Sequence, residues 1–428
     1  MTDRLLKVLM DGTPIGSLTM SAQGALSFTY DDDYLNLPHP TPLSLSMPLR
    51  SKPYGNRVTL PFFQGLLPDN PLALEAIARK HQVSANSPFA LLEHMGHDVA
   101  GALQIIRPSD ISEDATANRA KMTVVDDEQL TNMLRETLAT YDDGAMPGHA
   151  QRMSLAGAQA KLGVARTSDG RWAIPERDVP TTHIFKPQLA NSSTFPDSDI
   201  VELFCQRVVA NAGLPAAHAA VWQSPDGSVR AIVSERYDRR QRKDGTYDRL
   251  HQEDLCQALS VMPQKKYQRQ DGGPGIRQIS QLFATRLSPQ NLTDVSTNFL
   301  KALTANAALL NTDAHAKNYS LMLSGETVRL APLYDVLSIG AFLDSDAHPL
   351  SPMRLGKTFD LEQVYPQTLA QEGKRLGIPT PDAEAIVEET TRQLSSALDE
   401  TAESLAPLDR NGIITRTVET IRSHSRLV

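Results

Sequence analysis

The stretch NTDAHAKNYSLML, Asn311–Leu323, with VRLAPLYDVL at Val328–Leu337, decides how this chain is read. Asp313 and Asn318 stand five residues apart, and Asp335 comes seventeen residues after Asn318. The first spacing is that of the aspartate and asparagine in a protein-kinase catalytic loop. Asp335, in the form Tyr334-Asp335 after a short hairpin, stands where the metal-binding aspartate of such enzymes belongs. Phosphoryl transfer needs a carboxylate to orient or deprotonate the attacking hydroxyl. It also needs oxygen ligands for a cation that neutralises the triphosphate. An Asp and an Asn capping a turn would explain the loop alone. The helical run before it and the hairpin ending in an acid after it favour the chemical reading.

Working outward, the next part must be a lysine on a strand. THIFKP ends an apolar strand at Lys186, and Glu202 follows near the start of a helix, where a lysine-pairing acid belongs. The order Lys, Glu, Asp, Asn, Asp is that of a kinase. No G-x-G-x-x-G loop precedes the lysine; SLAGAQAK, Ser154–Lys161, holds its place. Its small residues allow backbone N–H groups to approach phosphate.

The rest of the chain fits an α+β protein. LLKVLMDGTPIGSLTM signals a hairpin turning at Asp11-Gly12. Leu26, Phe28 and Tyr30 alternate as a strand, and Leu43, Leu45 and Met47 alternate again. Asn70-Pro71 opens a helix running to Lys80. SPFALLEHMGHDVAGALQII reads as helix, turn at Gly96, then strand. Leu130, Met133, Leu134 and Leu138 mark an amphipathic helix, and Val201, Phe204, Cys205, Val208 and Val209 another. Beyond His251 the pattern is helical almost to the end, apart from DGGPG and the piece from Tyr319 to Val336. Arg239 to Lys243 is a basic cluster at a hairpin tip, expected to be solvated.

The 428 residues carry 42 Lys+Arg against 50 Asp+Glu, a net charge of −8, which argues against coating nucleic acid by bulk charge. Two cysteines, Cys205 and Cys256, make neither a disulfide framework nor a zinc cluster and fit a reducing compartment. No run approaches the roughly 18 apolar residues of a membrane span, and no signal peptide is read. A cytoplasmic enzyme or binding protein is expected.

Together these segments resemble the HipA family of serine/threonine kinase toxins from bacterial toxin–antitoxin systems. The resemblance rests on FFQGLLPDNP (Phe62–Pro71), SPFALLEHMGHDVAGAL (Ser87–Leu103), SLAGAQAK, TTHIFK (Thr181–Lys186), SERYDR (Ser234–Arg239), HQEDLCQ (His251–Gln257), DGGPGI (Asp271–Ile276), TDAHAKN (Thr312–Asn318) and LYD (Leu333–Asp335). It implies an α+β, bilobed, protein-kinase-like fold with a β-rich N-terminal lobe, an added N-terminal subdomain and a mostly helical C-terminal lobe. The expected regions are 1–108 for the subdomain, 150–255 for the β-rich part with the ATP loop and Lys186, and 256–428 for the helical part.

The resemblance also implies roles. Asp313 resembles the catalytic base, and Asn318 and Asp335 the Mg2+ ligands. Lys186 looks like the phosphate-binding lysine, and Ala156, Gly157, Ala158, Gln159, Ala160 and Lys161 like the loop over the ATP phosphates. Glu235, Arg236 and Tyr237 look like the segment that holds adenine. His315, Ala316, Lys317 and Asn318, with Tyr334 and Asp335, would complete the nucleotide site. Ser154 resembles the serine whose autophosphorylation inactivates such kinases. The implied partners are a small helix-turn-helix antitoxin, HipB, and a protein substrate such as an aminoacyl-tRNA synthetase. Operator DNA would be reached mainly through the antitoxin. The region MRLGKTFDLEQVYP offers only Arg354 and Lys357 for direct DNA contact. In one departure, Ala314 replaces the glycine common in the catalytic loop; a positive φ there would strain it. The alternatives are a small-molecule phosphotransferase, which shares the D-x-x-x-x-N loop, and a non-catalytic corepressor that only binds an antitoxin.

Overall fold

A computed structural model describes residues 4–111, 121–147, 157–176, 179–189, 195–343 and 347–428. The chain forms two compact units. One, β-rich, comprises residues 1–190, 222–264 and 322–326; the other, mostly helical, comprises 191–221, 265–321 and 327–428. Residues 191–221, expected among the β-rich part, thus group with the helical unit.

The β-rich unit opens with an antiparallel sheet built from β1 (Arg4–Met10), β2 (Thr13–Met20), β3 (Leu26–Tyr30) and β4 (Leu103–Ile106), in the order β3-β2-β1-β4. Asp11 and Gly12 both have positive φ, as the tight turn between β1 and β2 requires. Leu6, Val8, Ile15, Leu18 and Phe28 point into a core shared with Phe62, Phe63, Leu91 and Leu92. Helix Pro71–His81 starts where Asn70 accepts the Ala73 N–H, and helix Pro88–Met95 where Ser87 accepts that of Ala90.

Leu43, Leu45 and Met47 are buried as their alternation predicts, but they form no strand, only a bridge between Ser44 and Met47. Side chains take the place of a ladder. The Tyr30 hydroxyl accepts the Leu43 N–H and donates to the Met47 carbonyl, and Glu253 accepts the Leu45 N–H.

A second sheet is ordered β5-β7-β6-β8-β10-β9. Its strands are β5 (Met122–Val124), β6 (Leu162–Arg166), β7 (Trp172–Pro175), β8 (His183–Leu189), β9 (Ala219–Gln223) and β10 (Val229–Glu235). Helix Asp127–Asp142 lays Leu130 and Leu134 against Leu162, Val164 and Phe185 of this sheet.

A buried ion cluster joins the two sheets' regions. Asp98 accepts from the Thr181 N–H and hydroxyl and from Arg239 Nη2 at 2.7 Å, and lies 3.5 Å from both Arg236 and Arg249. Asp238 accepts from Arg236 and from the Gly101 N–H. Burial opposes ionisation of Asp98, but Arg239, Arg236 and Arg249 outweigh it and hold its pKa well below the usual carboxylate range. Arg239 is therefore not part of a solvated tip. Arg240 and Arg242 do lie on the outer hairpin, paired with Asp248.

In the helical unit, Pro289–Ala308 and Pro366–Arg375 pack on the long helix Thr380–Leu405. Phe283, Phe299 and Tyr319 stack edge to face at the centre. A strand pair, Leu350–Leu355 and Thr358–Asp360, interrupts the helices where none is expected. Both cysteines are buried thiols, and burial pushes that of Cys205 up to about 12.

Candidate active site

The loop carrying Asp313 is fixed from beneath by amides. Tyr319 and the helix Pro289–Ala308 supply its foundation. Asn306 Nδ2 donates to the Tyr319 hydroxyl at 3.0 Å, and Asn306 Oδ1 accepts from Asn311 Nδ2 at 2.7 Å. Asn311 Oδ1 then accepts the Asp313 N–H at 3.0 Å. Asn306, Asn311 and Tyr319 are all buried, whereas the Asp313 side chain is 56% exposed. An exposed carboxylate thus stands on a buried, hydrogen-bonded support. The turn closes on itself: the His315 N–H donates to the Asp313 carbonyl, and so does Asn318 Nδ2 at 2.8 Å. Ala314 is not among the described residues with positive φ, so alanine fits there without backbone strain.

Asn318 spends its amide nitrogen on the loop, which leaves its Oδ1 for another partner. An amide oxygen and a carboxylate are the hard donors that a magnesium ion takes, so Asn318 and Asp335 fit that ion. Asp335 is held at φ +53, a conformation uncommon for a residue with a side chain. The strands Ser320–Ser324 and Thr327–Leu330 lie between the two. Tyr334 ties the segments together: its hydroxyl donates to the Lys317 carbonyl at 2.8 Å and meets Ser320 Oγ at 2.7 Å. On the other side, Leu333 exchanges backbone bonds with Pro215 and Ala217. His315 is buried, and burial, against the pull of Asp313, pushes its imidazole down to about 4. It is neutral at pH 7, and among the described residues its Nδ1 has no hydrogen-bond partner. Such an atom suits a nucleotide contact.

The β-rich unit holds the remaining residues. Lys186 lies inside β8, opposite Ile232 of β10, and is only 8% exposed. Its strand neighbour Phe185 pairs with Leu162 of β6. The loop Gly157–Lys161 is pinned by the LLPDNP segment: the Asp69 N–H donates to the Gly157 carbonyl at 2.9 Å, and Asn70 Nδ2 approaches the Ala158 carbonyl. Gly157 has φ +116, and a Cβ there would come within 2.6 Å of Lys161 Nζ. Ala160 anchors the end of the loop against Ala73 and Tyr141. Ser154 and Ala156 lie outside the described residues. Glu235 is exposed at the end of β10 and Tyr237 is half-buried. Arg236 between them is committed elsewhere: its guanidinium serves the ion cluster, and its N–H donates to the Thr182 carbonyl. Glu202 is buried in helix Ser198–Asn211 of the helical unit.

Two residues escape the sequence reading. Asn306 carries the relay; the signal was a polar residue inside the apolar helical run ALTANAALL. Tyr267 donates its hydroxyl to Asp313 Oδ1. Nothing in the spacing connects these two.

A β-rich unit bearing the buried strand lysine, and a helical unit bearing the Asp–Asn–Asp set, define a kinase-like α+β protein. The profile of the HipA-like C-terminal domain matches residues 153–398, and that of the HipA N-terminal domain residues 6–106. The chain belongs to the HipA family. A Sinorhizobium fredii protein named "Putative kinase Y4mE" is 36% identical over 95% of this chain and 92% of its own length. The serine/threonine-protein kinase toxin HipA of Shewanella oneidensis is 26% identical over 86% of this chain and 83% of its own. The HipA structure in a complex of Shewanella oneidensis HipA, HipB and operator DNA has the same fold, with a TM-score of 0.79 at 23% identity over 98% of this chain and 96% of that one.

Proposed function

We propose that this chain is a serine/threonine-protein kinase toxin of a bacterial toxin–antitoxin system, cytoplasmic, transferring the γ-phosphate of ATP to a protein. The exposed Asp313 on its buried Asn306–Asn311 support carries the proposal, because a non-catalytic corepressor has no use for a rigidly mounted carboxylate. Asp313 orients the substrate hydroxyl and takes its proton. Lys186 and the backbone of Gly157–Lys161 hold the phosphates. Glu235 and Tyr237 are assigned to adenine, and His315–Asn318 and Tyr334 to the rest of the nucleotide. A magnesium ion held by Asn318 Oδ1 and Asp335 would neutralise triphosphate charge.

The further assignments rest on the family. Ser154 is the site of inactivating autophosphorylation: a phosphate adds about −1.5 to −2 charge beside the nucleotide loop. The partner is a HipB-like antitoxin, as the Shewanella complex suggests, and operator DNA is reached through it. An aminoacyl-tRNA synthetase is the substrate class the family offers. In the described residues no helix is long and apolar enough to cross a membrane.

The test is incubation with γ-labelled ATP, magnesium and whole-cell lysate. Label on serine or threonine of a discrete protein supports the proposal. Label on a small molecule alone, or none at all, contradicts it. Mass spectrometry of the protein after incubation with Mg-ATP should find phosphate on Ser154.

A further inference from the structure

The DGGPGI segment belongs to no step above, yet it builds a mount for one side chain. Tyr267 is half-buried, and its hydroxyl donates to Asp313 Oδ1. Its ring meets the buried His315 ring edge to face, with centroids 4.9 Å apart. The backbone is held as firmly. The Tyr267 carbonyl accepts the N–H groups of Asp271 and Gly273, at 3.1 and 3.0 Å. A Cβ on Gly273 would fall 2.0 Å from the Lys265 carbonyl oxygen, so only glycine lets the turn fold back this closely. Gly275 likewise leaves room for the Gln268 amide, whose oxygen accepts the Arg354 N–H at 2.8 Å. A ring resting on His315 would need no hydroxyl; the hydroxyl has Asp313.

We infer that Tyr267 is a positioning residue for phosphoryl transfer, holding Oδ1 of Asp313 so that Oδ2 faces the hydroxyl of the substrate. The inference rests on the reading of Asp313 as catalytic base. Among the described residues no hydrogen bond reaches Oδ2, whereas Oδ1 takes the Tyr267 hydroxyl. As the substrate oxygen bonds to the γ-phosphorus and the bond from phosphorus to the ADP oxygen breaks, the substrate proton passes to Oδ2. Tyr267 keeps its own proton throughout. A hydrogen bond at one oxygen restrains rotation of the carboxylate, and misplacing a reacting group by about 1 Å costs on the order of 100-fold in rate.

The experiment compares wild type, Tyr267→Phe and Asp313→Asn, with γ-labelled Mg-ATP and lysate protein as acceptor. Tyr267→Phe keeps the ring on His315 and loses only the hydroxyl. Its rate at saturating ATP should fall about 10- to 100-fold, while KM for ATP, nucleotide affinity and melting temperature stay within error of wild type. Installing 3-fluorotyrosine at position 267, which restores a hydroxyl, should restore the rate. A purely structural role would lower the melting temperature or raise KM instead, and either result overturns the inference. So does an unchanged rate, and so does a faster one, which would make the tyrosine a blocking group. If Asp313→Asn is inactive and Tyr267→Phe is not impaired, only the role of Tyr267 fails. If Asp313→Asn itself transfers phosphate, the reading beneath fails too.

Discussion

Asp313 is exposed, while Asn311 and His315 on either side of it are buried. That contrast supports the proposed site over a simple turn, since a capping aspartate needs no buried amide relay under it. The metal assignment is testable at the same scale. Asp335→Ala should weaken Mg-ATP binding at least about 10-fold, because one of two anchoring oxygens disappears; a titration with unchanged affinity would remove Asp335 from the ligand set. Lys186 needs a subtler substitution. The interior position of β8, between β6 and β10, buries it. Lys186→Met keeps the apolar stem and removes the charge. Nucleotide affinity should drop with little change in melting temperature; a variant that unfolds would show the lysine to be structural. The proposed Asp–Asn–Asp set is legible in the sequence because its loop and the hairpin after it are local in the chain. Tyr267 is not, because 46 residues separate it from the carboxylate it holds.

The elements divide in the same way. Strands β1 to β3 and helices Pro71–His81, Pro88–Met95 and Asp127–Asp142 follow from periodicity, caps and the Asp11-Gly12 turn. The segment Leu43–Met47 misleads because its alternation is real but its hydrogen bonds go to Tyr30 and Glu253 side chains. Helix Asn56–Gln64 is masked by Pro61 inside it, a residue that normally ends a helix. Leu350–Leu355 carries no period-two signal because Ser351, Pro352 and Met353 are buried in a row, and Thr358–Asp360 is only three residues long. The element that matters most for the site is Pro289–Ala308, through Asn306. Asn306→Ala would leave Asn311 Nδ2 without its partner, at a cost of about 1–3 kcal/mol. Denaturant unfolding should show that loss, and turnover should fall with it because the Asp313 N–H is anchored by the same Asn311. Stability like that of wild type would mean that the relay supports nothing.

On the scale of the whole molecule, motifs that carry the family resemblance also serve the architecture. SERYDR sends Arg236 and Arg239 into the ion cluster with Asp98 of the GHDVAGA segment. Asp98→Ala would strand buried guanidiniums and should cost about 3–5 kcal/mol, read as a large fall in the unfolding midpoint. HQEDLCQ likewise contributes Glu253, bonded to Ser44 and the Leu45 N–H, and burial pushes its carboxyl up from 4.5 to about 8. The folded chain therefore keeps a proton that the unfolded chain loses near 4.5. Its stabilising share is complete below that pH and is lost as pH rises to about 8. Glu253→Gln should flatten the fall of melting temperature across this window; an unchanged slope would assign the pH dependence to other groups. The central claim is that the mounted carboxylate does phosphoryl transfer, and one measurement reaches it directly. The initial rate of label transfer from γ-labelled Mg-ATP to lysate protein is compared for wild type and Asp313→Asn, with melting temperature and nucleotide affinity taken on the same samples. The predicted result is loss of transfer in a variant that still folds and still binds nucleotide; transfer at the wild-type rate by Asp313→Asn would contradict the account.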